Sequence, residues 1–188
     1  KETFRGYPDY DGFPFLKNAV SAYYRGRNID IDPTEVYVGD GAKSDVGNIT
    51  DLFGNDNIVL VPDPVYPVYV DSNLMLTRQI RYIDATEENG YLPLPDDKTV
   101  GDIIYICSPN NPTGAIMTEE DLEKIAKILR ERDIILLSDE IYAEMTYGHK
   151  HTSIASLPGM RERTVVVNGF SKAYAMTGWR MGFTCAPA

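Results

Sequence analysis

Short apolar runs alternate with longer amphipathic segments along this chain of 188 residues. The apolar runs predict seven strands, at residues 35–38, 57–61, 79–83, 102–107, 134–138, 164–168 and 181–185. Helices are predicted over residues 15–24, 42–52 and 118–132. The third has the clearest pattern, because Leu122, Ile125, Ala126 and Leu129 follow helical spacing, and Thr118 with Asp121 resembles a capping box.

This order of elements predicts an α/β fold, with a mainly parallel sheet covered by helices on both faces. The length suits a single domain over residues 1–188. Because Lys1 is not an initiator Met and the chain ends just after an apolar run, we expect a piece of a longer protein. Ligands of such sheets bind beside the carboxyl ends of the strands, so functional residues are expected in the loops that follow them.

The charge balance argues against two classes of partner. With 18 basic and 28 acidic residues, the net charge of -10 repels nucleic acid and anionic membrane surfaces. No apolar run approaches the roughly 20 residues of a membrane helix, and no signal-peptide pattern opens the chain. Cys107 and Cys185 lie in apolar runs, which is typical of buried free thiols and fits a reducing cytoplasm. A small anionic ligand remains compatible with this composition.

The loops after the first two strands have features of a ligand site. Gly41, Ala42 and Lys43 open a helix, where backbone amides can cradle a phosphate, although the same residues suit a plain strand-to-helix turn. Tyr66 lies between prolines on a stiff backbone. Its ring can stack on a flat ligand or pack the loop onto the core.

The loops after the fourth and fifth predicted strands contribute an amide, a carboxylate and a phenol. Asn111 lies in a proline-rich turn at residues 108–114, where its side chain can bind a ligand oxygen or form an Asx turn. Asp139 directly follows an apolar strand, and Tyr142 can point to the same place. An N-cap is the alternative role for Asp139.

The segment after the sixth predicted strand contains a lysine, a hydroxyl and an arginine. Lys172 can hold an aldehyde as a Schiff base, while Ser171 and Arg180 can bind a phosphate. By contrast, His149 and His151 lie beside lysine and glycine, which predicts a solvated loop and no metal site.

Together the five loops supply the groups that pyridoxal phosphate requires. The cofactor needs a lysine for its aldehyde, a carboxylate for its ring nitrogen, an amide and a phenol for its ring oxygen, a stacking ring and phosphate ligands. The chain also lacks the motifs of a serine-hydrolase elbow, a Walker loop or a dinucleotide-binding turn. The residues therefore favour a pyridoxal-phosphate site.

On these motifs the chain resembles the fold-type I pyridoxal-phosphate aminotransferases of the aspartate aminotransferase superfamily. The resemblance is based on Asn111-Pro112-Thr113-Gly114, on Asp139 with Tyr142, and on Ser171-Lys172 with Arg180. It implies that Lys172 binds the cofactor and moves the substrate proton, Asp139 pairs with the ring nitrogen, Tyr142 and Asn111 contact the ring oxygen, and Tyr66 stacks on the ring. It also implies that Tyr7 reaches the phosphate in a partner subunit, and hence a homodimer.

Within that superfamily, residues 38–71 look like the LL-diaminopimelate aminotransferases of lysine biosynthesis. This implies transfer of an amino group between glutamate and tetrahydrodipicolinate, with Lys43 contacting substrate. From about Ile116 onward the chain is more similar to aspartate and aromatic aminotransferases. Gly169 departs from the pattern, since a phosphate-binding serine or threonine is expected there. The resemblance further implies that an N-terminal arm and a small C-terminal domain lie outside the chain, so that the fragment transaminates poorly alone.

Several alternatives use the same residues or the same fold. A C–S lyase or an aminocyclopropane-carboxylate synthase would need the same cofactor groups. A cofactor-binding module without activity, or the ligand-binding half of a transcription regulator, is the non-enzymatic alternative. A nucleotide-binding α/β domain is disfavoured, because no Gly-x-Gly-x-x-Gly motif follows the first strand.

Overall fold

Seven strands form one mixed sheet in this computed structural model, which describes residues 7, 9–96 and 98–187. The strands are β1 Val36–Gly39, β2 Ile58–Asp63, β3 Gln79–Asp84, β4 Ile103–Cys107, β5 Ile135–Asp139, β6 Thr164–Gly169 and β7 Gly182–Cys185. Their order across the sheet is β1-β7-β6-β5-β4-β2-β3. Only the pairings of β7, with β1 and with β6, are antiparallel among those described. The predicted α/β class and all seven predicted strands are confirmed, with ends shifted by one or two residues.

Four α-helices of more than one turn lie in the described chain. They are α1 Pro14–Arg25, α2 Ala42–Asn48, α3 Pro67–Met75 and α4 Glu119–Glu131. The capping box of α4 is present, since the Thr118 side chain accepts from the Asp121 amide and the Asp121 carboxylate accepts from the Thr118 amide. Helix α2 ends at Asn48, before the predicted end, and a 3-10 turn continues to Leu52.

Helix α3 was not predicted, because the proline-rich segment before it reads as a loop. Pro67 occupies the first turn of the helix, where a missing N–H costs no hydrogen bond. Tyr69 and Asn73 are its buried residues, one helical turn apart. Helix α3 is therefore an element that the sequence analysis missed.

The sheet is covered on both faces, as the sequence predicts. Along β4, Ile104 and Ile106 pack with the apolar side of α4, while Ile103 and Tyr105 pack with residues of α2 and α3. Alternation of this kind follows from the two-residue period of a strand. A third cluster joins α1 to the β1, β6 and β7 end of the sheet. The helices thus fix the strands that end at the candidate site.

Two further expectations can be compared with the structure. Cys107 and Cys185 are both buried free thiols, which confirms that prediction. Within residues 7, 9–96 and 98–187, no helix is long and apolar enough to cross a membrane.

Candidate active site

A cavity of about 300 Å³ opens at the carboxyl edge of the parallel strands. Its volume falls at the lower end of the range for small-molecule sites. Ten residues selected from the sequence line it, namely Gly41, Ala42, Lys43, Tyr66, Asn111, Asp139, Tyr142, Ser171, Lys172 and Arg180. Tyr7 does not line it, and its side chain is fully exposed. The structure therefore brings together every predicted site residue that was expected to act within one subunit.

The antiparallel direction of β7 explains how Arg180 reaches this edge. Strands β1, β5 and β6 run in the same direction, so residues at or just after their ends lie at the carboxyl edge. Asp139 is the last residue of β5, while Gly41 and Lys172 follow β1 and β6. Because β7 runs the opposite way, the residues that precede it lie at that same edge. Arg180 comes two residues before β7 and adopts a left-handed conformation with φ 51°. The reversed direction of β7 thus places the Arg180 guanidinium at the cavity.

Asp139 lies at the end of β5 with both carboxylate oxygens engaged. The Tyr69 hydroxyl donates to Oδ2 at 2.6 Å, and the Ile141 amide donates to Oδ1 at 3.1 Å. Burial raises the pKa of Asp139, the two hydrogen bonds oppose that rise, and the charge of Glu140 adds to it. The Ile141 contact is an Asx turn. The N-cap of the 3-10 turn that follows is Tyr142, so the alternative role of Asp139 as an N-cap was wrong.

The turn role predicted as an alternative for Asn111 belongs to its neighbour. Asn110 donates through Nδ2 to the Thr113 hydroxyl at 2.9 Å and accepts the Gly114 amide through its carbonyl at 2.8 Å. These bonds hold the loop, and Asn111 is left facing the cavity. The amide of Asn111 is therefore available to a ligand oxygen.

Lys172 and Tyr142 lie near each other in the lining of the cavity. The Lys172 Nζ lies 5.8 Å from the centre of the Tyr142 ring. Burial raises the pKa of the Tyr142 hydroxyl, so this phenol stays protonated as a hydrogen-bond donor at neutral pH. An amine and a neutral phenol on one wall suit an aldehyde and an adjacent ring oxygen.

The opposite end of the cavity is shaped for an anion. A Cβ placed on Gly41, which has φ 127°, would lie 2.9 Å from Arg180 Nη2. Glycine is therefore needed both for the backbone conformation and for the close approach of the guanidinium. Glycine is also needed at position 182 for close packing, since a Cβ there would lie 2.7 Å from the Ala42 amide nitrogen. The start of α2 thus packs directly on β7 beside Arg180.

Gly169 has a packing reason for departing from the expected serine or threonine. A Cβ at this position would lie 3.0 Å from both the Gly182 Cα and the Met181 carbonyl oxygen. Strands β6 and β7 approach too closely here for a side chain to enter without a shift. Tight packing between these strands therefore explains why glycine, and not the expected serine or threonine, occupies position 169.

Five cavity residues were not selected from the sequence: Val46, Tyr69, Cys107, Ile141 and Thr177. Tyr69 is the most informative of them, because it bonds directly to Asp139. Its spacing of three residues from Tyr66 would have indicated a shared helical face, had α3 been recognised. Burial raises the pKa of the Cys107 thiol to about 12, so this group stays neutral and donates to the Pro109 carbonyl at 3.1 Å.

Asp45 in α2 introduces a half-buried carboxylate near the start of that helix. A Cβ on Gly39 would collide with its side chain, and Asp45 Oδ2 has no hydrogen-bond partner among the described residues. Burial raises the pKa of Asp45 to about 6, the charge of Asp40 adds to this rise, and a hydrogen bond with Thr184 opposes it. The ionised form is therefore the unfavourable one in the fold.

We expect Asp45→Asn to stabilise the protein in neutral solution and to have little effect at pH 4. In the unfolded chain an aspartate ionises near pH 4, so folding penalises the charge as pH rises from there through about 6. The gain above pH 6 should be about 1 kcal/mol, after allowance for partial exposure. Urea unfolding at pH 4 and pH 8 measures it, with exposed Asp51→Asn as control. An equal gain at both pH values would contradict this explanation.

His151 does not lie in a solvated loop, so that prediction was wrong. Its side chain is 7% exposed, and Nε2 lies 3.5 Å from Oε2 of the buried Glu140. His149 is exposed, as expected. Across the described residues there is no group of three or more potential metal ligands.

The sequence is similar to that of known proteins. The family model for aminotransferase class I and II matches residues 1–188. The LL-diaminopimelate aminotransferase of Parabacteroides distasonis is 39% identical over 200 residues, which cover 100% of this chain and 48% of that protein. The protein of the same name from Methanosphaera stadtmanae is 39% identical over 201 residues, with 99% and 48% covered. The chain spans about half the length of the curated relatives it matches.

Solved structures show the same likeness. The aromatic aminotransferase from Pyrococcus horikoshii superposes with a TM-score of 0.91 at 36% identity, covering 97% of this chain and 51% of that one. The aspartate aminotransferase from Thermus thermophilus with maleate gives 0.90 at 32% identity, covering 97% and 49%.

Proposed function

The chain belongs to the aminotransferase class I and II family, and from this membership we propose that it forms the pyridoxal-phosphate site of an aminotransferase. Enzymes of this family depend on pyridoxal phosphate. The observation on which the proposal rests is the arrangement of Lys172, Asp139 and Arg180 around one cavity. An amine, a buried carboxylate and a guanidinium are the three charged groups that this cofactor needs.

The residues of the cavity match the chemical groups of the cofactor one by one. The close approach of Arg180 to Gly41 leaves a cationic cradle for the phosphate, to which Ser171 and the amides of Ala42 and Lys43 contribute. Asp139 would hold the ring nitrogen, Asn111 and Tyr142 the ring oxygen, and Tyr66 the ring face. Bound pyridoxal phosphate supplies an electron sink for the bond broken at the substrate Cα.

Lys172 has two roles in this proposal. Its amine would hold the cofactor aldehyde in the resting protein. With a substrate bound, Lys172 Nζ would act as the general base that takes the proton from the substrate Cα, and its conjugate acid would return that proton. The ring centre of Tyr142 is 5.8 Å from this amine. Asp139 is fixed by two hydrogen bonds and does not need to move.

For substrates we propose an amino acid and a 2-oxo acid. The leading reaction is transfer of an amino group between glutamate and tetrahydrodipicolinate, which gives LL-diaminopimelate. Relatives with that name are 39% identical over essentially the whole chain, which supports a role in lysine biosynthesis. Lys43 is exposed at the rim of the cavity. Its ammonium there can meet a substrate carboxylate, while its backbone amide faces the phosphate cradle.

The proposed working form is a cytoplasmic homodimer. The side chain of Tyr7 is fully exposed and lies outside this subunit's cavity, which is what a residue that completes the partner's phosphate site requires. Two buried free thiols fit a reducing compartment. Residues 1–188 would be the cofactor-binding large domain, with the remaining parts of the enzyme elsewhere in the full-length protein.

Reductive labelling tests the proposal directly. The full-length protein is mixed with pyridoxal phosphate, reduced with borohydride, digested and mapped by mass spectrometry. The label should be found on Lys172 and be absent from Lys127, an exposed lysine of α4. A label elsewhere, or none, overturns the proposal. Keto-acid formation with and without an added 2-oxo acid then separates an aminotransferase from a lyase, because a lyase needs no acceptor.

A further inference from the structure

Tyr69 contacts the one carboxylate on which the proposed cofactor chemistry depends. We propose that Tyr69 is a positioning residue, which acts through Asp139 and is itself fixed by a buried polar chain ending at Arg78. This inference rests on the proposed function for its consequence in catalysis. The contact between Tyr69 and Asp139 can be tested without the cofactor.

The geometry of this contact is restrictive. Tyr69 is 1% exposed, and its hydroxyl donates to Asp139 Oδ2 at 2.6 Å. A short bond from a hydroxyl to a carboxylate is among the stronger hydrogen bonds in proteins. Since the Ile141 amide fixes Oδ1, the bond from Tyr69 determines the rotation of the carboxylate about its last torsion. Removing one hydroxyl would therefore release Asp139 on one side.

The Tyr69 ring is held in place by stacking and by its helix. It stacks on Tyr105 of β4 with centroids 4.8 Å apart and an interplanar angle of 15°. Asn73, one turn later in α3, donates to the Tyr69 carbonyl at 2.8 Å and to the Tyr105 hydroxyl at 3.3 Å. Both aromatic rings are thus tied to one amide side chain.

Arg78 anchors that amide. It is 3% exposed, and its Nη1 donates to Asn73 Oδ1 at 3.1 Å. Its other donors contact main-chain carbonyls at the end of the 3-10 turn after α2, those of Thr50, Phe53 and Gly54. A planar guanidinium with several acceptors at once has little freedom to move. The chain therefore runs from the α2–β2 connection through α3 to Asp139.

The carboxyl titration of Asp139 in the cofactor-free, full-length protein tests the contact. With ¹³C-labelled aspartate, the resonance is assigned by its loss in Asp139→Asn. Because Tyr69 donates to the charged carboxylate, Tyr69→Phe should move the midpoint to higher pH by about one pH unit. Tyr105→Phe is the matched control, since it removes one hydroxyl from the stacked partner, and it should leave the midpoint unchanged. An unchanged midpoint in Tyr69→Phe, or equal shifts in both variants, overturns the proposal.

A wild-type measurement covers the case in which Tyr69→Phe does not fold. With tyrosine labelled at Cζ, the Tyr69 resonance should titrate with the same midpoint as the Asp139 carboxyl. Independent titration of the two groups overturns the proposal.

Cofactor affinity tests the consequence. Tyr69→Phe should raise the Kd for pyridoxal phosphate about tenfold, and Tyr105→Phe less than twofold. In an Asp139→Asn background the effect of Tyr69→Phe should fall below twofold, because the residue acts through that carboxylate. Equal effects in both backgrounds contradict a positioning role. If wild-type protein does not bind the cofactor, the proposed function fails, while the carboxyl titration still decides whether Tyr69 controls Asp139.

Discussion

Replacing Lys172 by arginine is expected to lower transaminase kcat/KM by about 10⁴-fold, the upper range for loss of a positioned proton-transfer group. The substitution is informative because arginine keeps a positive charge in the cavity on a side chain of similar length. It cannot give up its proton at any accessible pH, so it can neither bind an aldehyde nor accept the proton from the substrate Cα. A mere electrostatic role for Lys172 would survive this change.

The measurement uses full-length protein with an amino donor and a 2-oxo acid, in parallel with equilibrium binding of pyridoxal phosphate. Lys127→Arg, at an exposed position of α4, is the control for lysine replacement as such. Binding of the cofactor phosphate should persist in Lys172→Arg, since Arg180, Ser171 and the Gly41 cradle are untouched. A variant that retains more than a tenth of the wild-type kcat/KM would exclude Lys172 as the reacting amine.

Asp139→Asn is expected to reduce kcat by about 10²- to 10³-fold, the magnitude that loss of one preorganised electrostatic group causes. The two side chains have the same shape, but asparagine has one oxygen where aspartate has two. The oxygen of the introduced side chain can still accept from the Ile141 amide, while its NH2 group can donate to the Tyr69 hydroxyl oxygen. What disappears is the negative charge that holds a proton on the cofactor ring nitrogen. The fold should tolerate the change, since burial penalises the charge in the free protein.

Steady-state kinetics and thermal unfolding of the same preparations test this prediction. Asp63→Asn is the matched control, because Asp63 also ends a parallel strand at the carboxyl edge but is exposed and lies outside the cavity lining. We expect kcat to fall in Asp139→Asn with Tm unchanged or raised. A loss of activity that followed a loss of folded protein would instead assign Asp139 a structural role.

The strands and the site were predictable for one physical reason. Apolar runs bounded by glycine, proline and polar residues determine where strands end, and an α/β sheet brings those ends together. Asp139 and Asn111 could therefore be selected before their distances were known. The helix α4 was equally accessible, because its spacing and its Thr118–Asp121 capping box are local signals.

What could not be predicted depends on contacts between distant segments. Helix α3 is short and begins at Pro67, so proline masks a helix that tertiary packing of Tyr69 and Asn73 stabilises. The partnership of Tyr69 with Asp139 joins residues 70 positions apart, and no spacing rule reaches that far. His151 shows the same limit, since its burial against Glu140 overrides a polar local sequence.

The pairing of β1 with β7 predicts when the proposed cofactor site forms during synthesis. Residues 36–39 have their sheet partners at residues 182–185. Strand β1 therefore cannot pair until β7 has been synthesised. Chain segments with such distant partners fold late, because the intervening loop must close first. The Gly41 cradle and Arg180 therefore form in the same step. On the ribosome, cofactor binding should appear only after β7 has emerged from the exit tunnel.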